Sequence, residues 1–373
     1  MSLVKELLRP LAEDGAALTR EQAASVLEEI LGGSVPEVET AALLTVLATR
    51  GEQAPELAGF VDVMRRHSVP LPFGPDEREE LVDCVGTGGG GPQTFNISCG
   101  AALVAAAAGA KVAKHGNRAV TSRCGAADVL EALGVPIELK PELAVECLHE
   151  TGFVFLFATL YHPAMKALGP LRRALGFRTI FNLVGPLTNP AHARTQVIGV
   201  LAPSRVLLVG RALAALGARR AFVVHGTDGI DELTTTGESV VARIETTGVG
   251  ETDLDSSDPG SRSRPSPPGL AAPELKAARV TPEMAGLKRA TLDQFIGGDV
   301  ATNKALLHDV LTGIPGARRD IVLLNAAAVL VAAGLAGDLK QGVAMGAEAI
   351  NSGQAAATLE KLRRFGAKYA AKQ

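Results

Sequence analysis

Aromatic side chains are scarce in this sequence. They make up 3% of its 373 residues, with two Tyr and no Trp. Large rings usually anchor cores and protein interfaces, so packing here must rest on aliphatic and small residues. The 41 glycines and the abundant alanine agree with close helix packing and with loops whose backbone approaches a ligand. Cysteine is also sparse: Cys84, Cys99, Cys124 and Cys147 form no CxxC pair, and no His lies at zinc-ligand spacing from them. A chain this long needs no staples, so four reduced thiols and a cytoplasmic protein are expected. No long uncharged apolar run is present, and the N-terminal MSLVKELLRPLAEDG is too charged for a signal peptide. Neither a membrane span nor a membrane partner is expected. Hydrophobic residues at 47% and charged residues at 21% exclude wholesale disorder. A net charge of −3 gives no global basic field for nucleic acid.

Acidic residues are absent locally. From Cys84 to Ala127 there is no Asp or Glu, yet Lys111, Lys114, Arg118 and Arg123 remain. From Thr151 to Thr227 the same holds, with one Lys and eight Arg. This run ends at Asp228, followed closely by Asp231-Glu232. Burial alone explains missing acids but not retained cations. The pattern points to a polyanion site with a place for a metal ion.

Residues 1–72 read as helices only. Thr19 and Gln22 form a capping box ahead of an apolar face, a second helix runs over 37–50, and Pro55 opens a third. After the extended Val69–Pro72 linker, short apolar runs alternate with Ala-rich helical stretches. Leu81–Val85, Lys111–Ala113, Phe153–Phe157, Val197–Leu201 and Ala221–Val224 read as buried strands. The expected fold is α/β: a small N-terminal all-helical domain and a larger domain, 73–373, with a mostly parallel central sheet flanked by helices. In such sheets ligands bind beyond the carboxyl ends of the strands. Residues 246–278, rich in Ser, Pro, Gly and Asp, read as a flexible insertion.

The loops after three strands carry the chemistry. Gly86-Thr-Gly-Gly-Gly-Gly91 formally matches G-x-G-x-x-G, but Pro92 intervenes before any helix and no acid follows until Asp128, which excludes a dinucleotide fingerprint. No Lys follows Gly91, which excludes a Walker A loop. A backbone able to cradle phosphates, or a bland turn, remains. Thr94, Asn96 and Ser98 precede or open the next helix, with Ser98 placed as its N-cap, a position that also attracts anions; its hydroxyl could reach a phosphate-bound Mg²⁺. Lys114-His115-Gly116-Asn117-Arg118 combines a point charge for phosphate, a permissive backbone and an amide with donor and acceptor; His115 is as readily structural as catalytic. The Asp231-Glu232 pair, without Cys or His, favours hard Mg²⁺. Pro170-Leu-Arg172-Arg173 offers a guanidinium for a carboxylate, although taken alone it reads slightly better as a solvated helix face. Gly185–Pro190 reads as a rigid turn.

In this order and spacing, GTGG, NIS, KHGNR, SxxGxADVLEALG, YHPAMK, RTIFNLxGPLTNP and the acidic pair resemble the anthranilate phosphoribosyltransferases over nearly the whole chain. The resemblance implies a helical domain that dimerises and helices near 163–190 that pack with it. It also implies transfer of the phosphoribosyl group of phosphoribosyl pyrophosphate to anthranilate, in tryptophan synthesis. Carried over residue by residue, it places Gly86, Gly89, Gly90, Thr94, Asn96, Ile97, Ser98 and Cys99 on the substrates. Lys114, His115, Gly116, Asn117, Arg118, Ala119, Val120, Thr121, Ser122 and Ala126 would join them. Lys114, Asn117 and Arg172 would carry catalysis, with Asn117 and Arg172 on anthranilate. Ser98 with Glu232 would hold one Mg²⁺, and Asp231 with Glu232 a second.

The chain departs from the family pattern where Gly90 replaces the Asp of GTGGDG, Cys99 replaces a common Thr and Ala126 a common Ser. Altered Mg²⁺ dependence is expected from the first. Two rivals differ in class. Pyrimidine nucleoside phosphorylases resemble this fold but carry a Lys-His-Ser loop where Cys84-Val85-Gly86 stands here. A non-enzymatic nucleic-acid-binding paralogue would need a continuous basic face.

Overall fold

Four helices come first: α1 (Leu3–Glu13), α2 (Arg20–Leu31), α3 (Glu37–Arg50) and α4 (Ala54–Arg66). The structure, a computed structural model, describes residues 2–88, 91–119, 122–245 and 274–370. The capping box reads out as expected: Gln22 N–H donates to Thr19 Oγ1 at 3.1 Å and Thr19 N–H to Gln22 Oε1 at 2.9 Å. Glu56, fully buried in α4, accepts from the Leu18 and Gln53 amides and pairs with Arg50 at 2.5 Å. Such a buried carboxylate is tolerated because every oxygen is satisfied.

After α5 (Pro75–Glu80) the α/β part begins. Its strands are β1 (Leu81–Gly86), β2 (Lys111–Gly116), β3 (Phe153–Phe157), β4 (Thr195–Gly199), β5 (Arg220–Gly226), β6 (Ser239–Glu245) and β7 (Glu274–Val280). They form one sheet in the order β3-β2-β1-β4-β5-β6-β7. The first five are parallel; β6 and β7 run antiparallel at one edge. The chain leaves β1 to one side and returns to β4 on the other, so the order reverses beside β1 and creates a crevice at the strands' carboxyl ends.

Alternating side chains divide the sheet between two cores. On β5, Phe222 and Val224 join one core and Ala221 and Val223 the other. The first core packs under α6 (Ile97–Ala107), α7 (Ala126–Ala132), α8 (Pro141–Thr151), α13 (Val300–Leu311), α14 (Ala317–Ala333) and α16 (Gln354–Ala370). α15 (Leu339–Asn351) lies against α14. The second core joins α1–α4 to α10 (Met165–Leu175), α11 (Phe181–Leu187) and α12 (Pro203–Ala215). Leu57 and Phe60 of α4 share it with Leu168, Leu171, Phe181 and Val184. The short α9 (Ala158–Tyr161) follows β3 directly.

Several expectations need correction. β2 continues through Lys114, His115 and Gly116, which were expected in or at a loop, because it pairs with β3 as far as Gly116↔Phe157. β4 starts two residues early, at Thr195, since its register is set by β1 from Val82↔Thr195 to Gly86↔Gly199. Asn96, not Ser98, is the N-cap of α6. Pro186 sits inside α11 and not in a turn. The antiparallel pair β6–β7 had no counterpart in the sequence reading. The last residues of the 246–278 insertion belong to β7, where Leu275 packs against Gly210 of α12; residues 246–273 lie outside the described residues. All four cysteines are free and buried, and burial pushes the Cys84 and Cys147 thiols up to about 12. Among the described residues, no helix is long and apolar enough to cross a membrane.

Three histidines lie near one another between β2 and the 162–192 region. Burial holds His162 and His192 down to about 4, and burial with the His162 and Lys114 charges holds His115 well below its usual value. An imidazole kept neutral in the fold but free to charge when unfolded costs stability as pH falls from about 6.5 towards 4, at up to about 1.4 kcal/mol per pH unit for a fully buried ring. We therefore expect the thermal midpoint to drop between about pH 7.5 and pH 5 more steeply in the wild type than in His162→Phe. Equal slopes would show that the His162 ring does not stay neutral.

Candidate active site

The carboxyl ends of β1, β2, β4 and β5 converge on one cluster. Lys114, in β2, is 1% exposed, yet its ammonium reaches the Cys84 carbonyl of β1 and lies 3.4 Å from Ser98 Oγ on the first turn of α6. Burial alone would depress this amine. The surrounding thiols and the carboxyls of Asp83 and Glu232 reverse that, and Lys114 stays charged. The loop after β5 brings the acids. Asp231 Oδ2 accepts from the Gly88 amide at 2.9 Å, joining this loop to the glycine loop. Glu232 keeps some surface, but its Oε2 is shut off from solvent and has no hydrogen-bond partner. Burial first, then the neighbouring Asp231 charge, holds the Glu232 carboxyl well above the usual carboxylate range. An orphaned carboxylate oxygen with a second carboxylate next to it in the chain fits a hard divalent cation.

Two glycines allow this approach. A Cβ on Gly199 would stand 1.5 Å from the Asp231 carbonyl oxygen, and one on Gly86 would stand 2.4 Å from Asp231 Oδ2. The 228–232 loop lies directly on the ends of β1 and β4 because neither carries a side chain there.

The remaining candidates divide. Asn96 is part of a polar bridge: its amide donates to the Cys124 carbonyl at 3.2 Å and its oxygen accepts from Asn303 at 2.9 Å. Thr94 pairs through its backbone with Ile296. Ile97 and Cys99 are fully buried. Asn117 accepts the Arg118 amide at 2.8 Å. Arg118 is tied to Asp128 at 3.0 Å and Glu131 at 2.8 Å, and also lies over the Phe157 ring. Asp128 accepts the amides of Ala119 and Gly125, closing the loop that carries Ser122 and leads to Ala126. Gly89, Gly90, Val120 and Thr121 lie outside the described residues. His115 points its ring into the core against His162, with centroids 5.1 Å apart.

Arg172 stands apart from the lysine–carboxylate cluster. Its guanidinium lies 5.7 Å from the Phe181 ring centroid, and burial lowers its pKa. No carboxylate pairs with it among the described residues, although it is half-buried. A half-buried guanidinium without a carboxylate partner is ready for an incoming one.

Sequence reasoning missed the residues that hold these in place. Asp228 accepts hydroxyls of Thr234 at 2.6 Å and Thr236 at 2.8 Å, which makes it an organiser of the acidic loop. Asn325, buried on α14, bonds both the amide and the carbonyl of Leu233 at 3.0 and 2.9 Å. No local pattern marks Asn325, since it acts on backbone far away in sequence.

This arrangement can be compared with known proteins. The glycosyl transferase family a/b domain matches residues 78–265 and 269–356, and the glycosyl transferase family helical bundle domain matches residues 5–68. An anthranilate phosphoribosyltransferase of Roseiflexus castenholzii is 45% identical over 350 residues, covering 93% of this chain and 94% of that protein. The chain belongs to the anthranilate phosphoribosyltransferase family. A member from Bradyrhizobium is 44% identical, covering 97% of this chain and 98% of that one. The crystal structure of anthranilate phosphoribosyltransferase from Thermus thermophilus superposes with a TM-score of 0.82 at 42% identity, covering 98% of this chain and 99% of that one. The Saccharomyces cerevisiae enzyme, in complex with PRPP and Mg, superposes with a TM-score of 0.80 at 25% identity, each chain 98% covered. The activity is that of an anthranilate phosphoribosyltransferase, EC 2.4.2.18, in tryptophan biosynthesis.

Proposed function

We propose that the crevice at the ends of β1, β2, β4 and β5 is where the phosphoribosyl group is transferred to anthranilate. The observation that carries this reading is the convergence of the buried Lys114 ammonium and the Ser98 hydroxyl with the orphaned Glu232 oxygen on the loop that caps the same strand ends. In the reaction the anthranilate nitrogen bonds to C1 of the ribose as the bond from C1 to pyrophosphate breaks. The amine proton becomes acidic once the C–N bond forms, so no strong general base is needed.

Each residue has a role in that step. Lys114 and the amides of the glycine loop bind the pyrophosphate and stabilise the charge it carries away. Gly86, Gly89, Gly90, Thr94, Asn96 and the stretch from Lys114 to Ser122 surround the phosphoribosyl pyrophosphate, with Ile97, Cys99 and Ala126 contributing backbone. Asn117 and Arg172 hold anthranilate, Arg172 through its carboxylate, and so keep a weak aniline nucleophile near C1. Ser98, Asp231 and Glu232 would hold two Mg²⁺ ions. Bound Mg²⁺ supplies charge neutralisation on the leaving pyrophosphate. Division at about residue 72 into a helical domain and a substrate-binding domain belongs to the same reading. Dimerisation through the helical part is supported by exposed Val38 on α3 and Phe177 after α10.

The deciding experiment follows anthranilate fluorescence. It should fall only when phosphoribosyl pyrophosphate and Mg²⁺ are both present, and the chain's lack of Trp keeps the background low. Thymidine phosphorolysis, or salt-dependent DNA binding without transfer, would support the rival readings instead.

Two variants test individual roles. Arg172→Ala should raise the anthranilate KM about tenfold or more, as expected when a charge-assisted contact of about 1.5–3 kcal/mol is lost; an unchanged KM would remove Arg172 from substrate binding. Gly90→Asp should shift the Mg²⁺ titration relative to wild type, because it restores a carboxylate beside the pyrophosphate. Superimposable titrations would show that Gly90 does not set Mg²⁺ dependence.

A further inference from the structure

The ladder pairing on the two sides of β1 is unequal. β1 pairs with β4 along its length, from Val82↔Thr195 to Gly86↔Gly199, and β2 pairs with β3 from Val112↔Phe153 to Gly116↔Phe157. Between β1 and β2, however, pairing is confined to Leu81↔Lys111 and Val82↔Val112. Beyond that point no further ladder pairing joins the two strands although they stay side by side, and the backbone groups that a parallel ladder would satisfy need other partners.

Side chains take over from the ladder. Asp83, fully buried in β1, reaches across with Oδ1 to accept the backbone N–H of His115 at 3.0 Å. Lys114 reaches back from β2 to the Cys84 carbonyl. Asn189 donates to the Ala113 carbonyl at 2.8 Å. Asp83 and Lys114 therefore bridge the two strands in opposite directions, and their backbone targets adjoin each other's residues: Asp83 holds the amide next after Lys114, and Lys114 holds the carbonyl next after Asp83.

We propose that Asp83 is a positioning residue for phosphoribosyl transfer: by clamping the His115 amide from the neighbouring strand it fixes the backbone of Lys114 and aims that ammonium at the pyrophosphate. The inference rests on the reading of Lys114 as the pyrophosphate ligand. The lysine takes the Cys84 carbonyl and the carboxylate takes the His115 amide, each replacing a ladder hydrogen bond that is not made between these strands. The requirement is for an acceptor at this spot, which an amide oxygen also provides.

The test compares Asp83→Ala, Asp83→Asn and Lys114→Ala by steady-state kinetics in both substrates, with thermal unfolding to confirm that each variant is folded. The expected result is that Asp83→Ala raises the phosphoribosyl pyrophosphate KM or lowers kcat at least tenfold while the anthranilate KM is unchanged. Asp83→Asn should recover to within about threefold of wild type, because its Oδ1 still accepts the His115 amide. A folded Asp83→Ala with wild-type kinetics, or an Asp83→Asn as impaired as Asp83→Ala, would overturn the proposal. So would an equal rise in the KM of both substrates, which a general loss of structure would produce. Should Asp83→Ala prove unfolded, the proposal stands or falls on Asp83→Asn and on Asp83→Ser, whose shorter hydroxyl should leave a selective defect towards phosphoribosyl pyrophosphate. Loss of phosphoribosyl pyrophosphate binding in Lys114→Ala together with wild-type behaviour of the Asp83 variants would sink this inference alone. Wild-type kinetics in Lys114→Ala would sink the reading of the lysine on which it rests.

Discussion

Glu232→Gln is expected to lower kcat by about 100- to 1,000-fold, the scale seen when one preorganised electrostatic contact to a developing charge is removed. The substitution keeps the shape of the side chain and its place on the loop that Asn325 pins. It removes only the negative charge that a divalent cation requires. Stability should not suffer, because the Glu232 Oε2 has no partner to lose, and a neutral amide carries less desolvation cost at a shielded position than a carboxylate. The thermal midpoint without Mg²⁺ should thus equal or exceed that of the wild type, while the midpoint gain on adding Mg²⁺ with phosphoribosyl pyrophosphate should shrink. Turnover close to wild type, or a variant that fails to fold, would contradict the role given to Glu232. The separation of activity from stability is the informative part, since a purely architectural residue would lose both together.

Gly199→Ala should be at least as damaging, for a different reason. The new methyl group would stand 1.5 Å from the Asp231 carbonyl oxygen, and no rotamer exists for a Cβ. Either β4 leaves its register with β1 or the 228–232 loop lifts away. Core strain of this kind costs about 1–3 kcal/mol and occasionally more. A displacement of about 1 Å in a catalytic group can by itself cost about a hundredfold in rate. We expect a lowered thermal midpoint and a loss of kcat of at least about a hundredfold. Gly237→Ala is the control: its Cβ would meet nothing closer than Thr227 Oγ1 at 3.7 Å, and it should behave as wild type. Similar effects at both positions would show that glycine content, and not the approach of the acidic loop, is what the fold requires.

Much of this molecule is written in local pattern. The capping box at Thr19 and Gln22, the apolar face of α3 and the strand Phe153–Phe157 follow from side-chain periodicity and end signals, because those depend on neighbours a few residues away. The acid-free runs and the Asp231-Glu232 pair mark the chemistry of the site for the same reason: charge composition is visible without a fold.

What escaped depends on residues distant in sequence. β6 and β7 lie next to a polar segment and make sense only as a pair that covers the edge of β5. Ser98 looked like a cap, but Asn96 takes that position while its side chain serves Cys124 and Asn303. Lys114 and His115 looked like loop residues, and pairing with β3 makes them strand. Asp83, Asn189, Asn303 and Asn325 carry no signal at all, since a single polar residue in an apolar run acquires meaning only from the backbone group it meets.

By itself, then, the sequence determined the class of fold, the chemical inventory of the site and the family resemblance, because composition and spacing are properties of the chain. The tertiary structure alone decided where ladder pairing stops, which carboxylate is shielded and which amide is clamped. Those are outcomes of register and close approach, set where two distant backbones meet at the ends of β1 and β4.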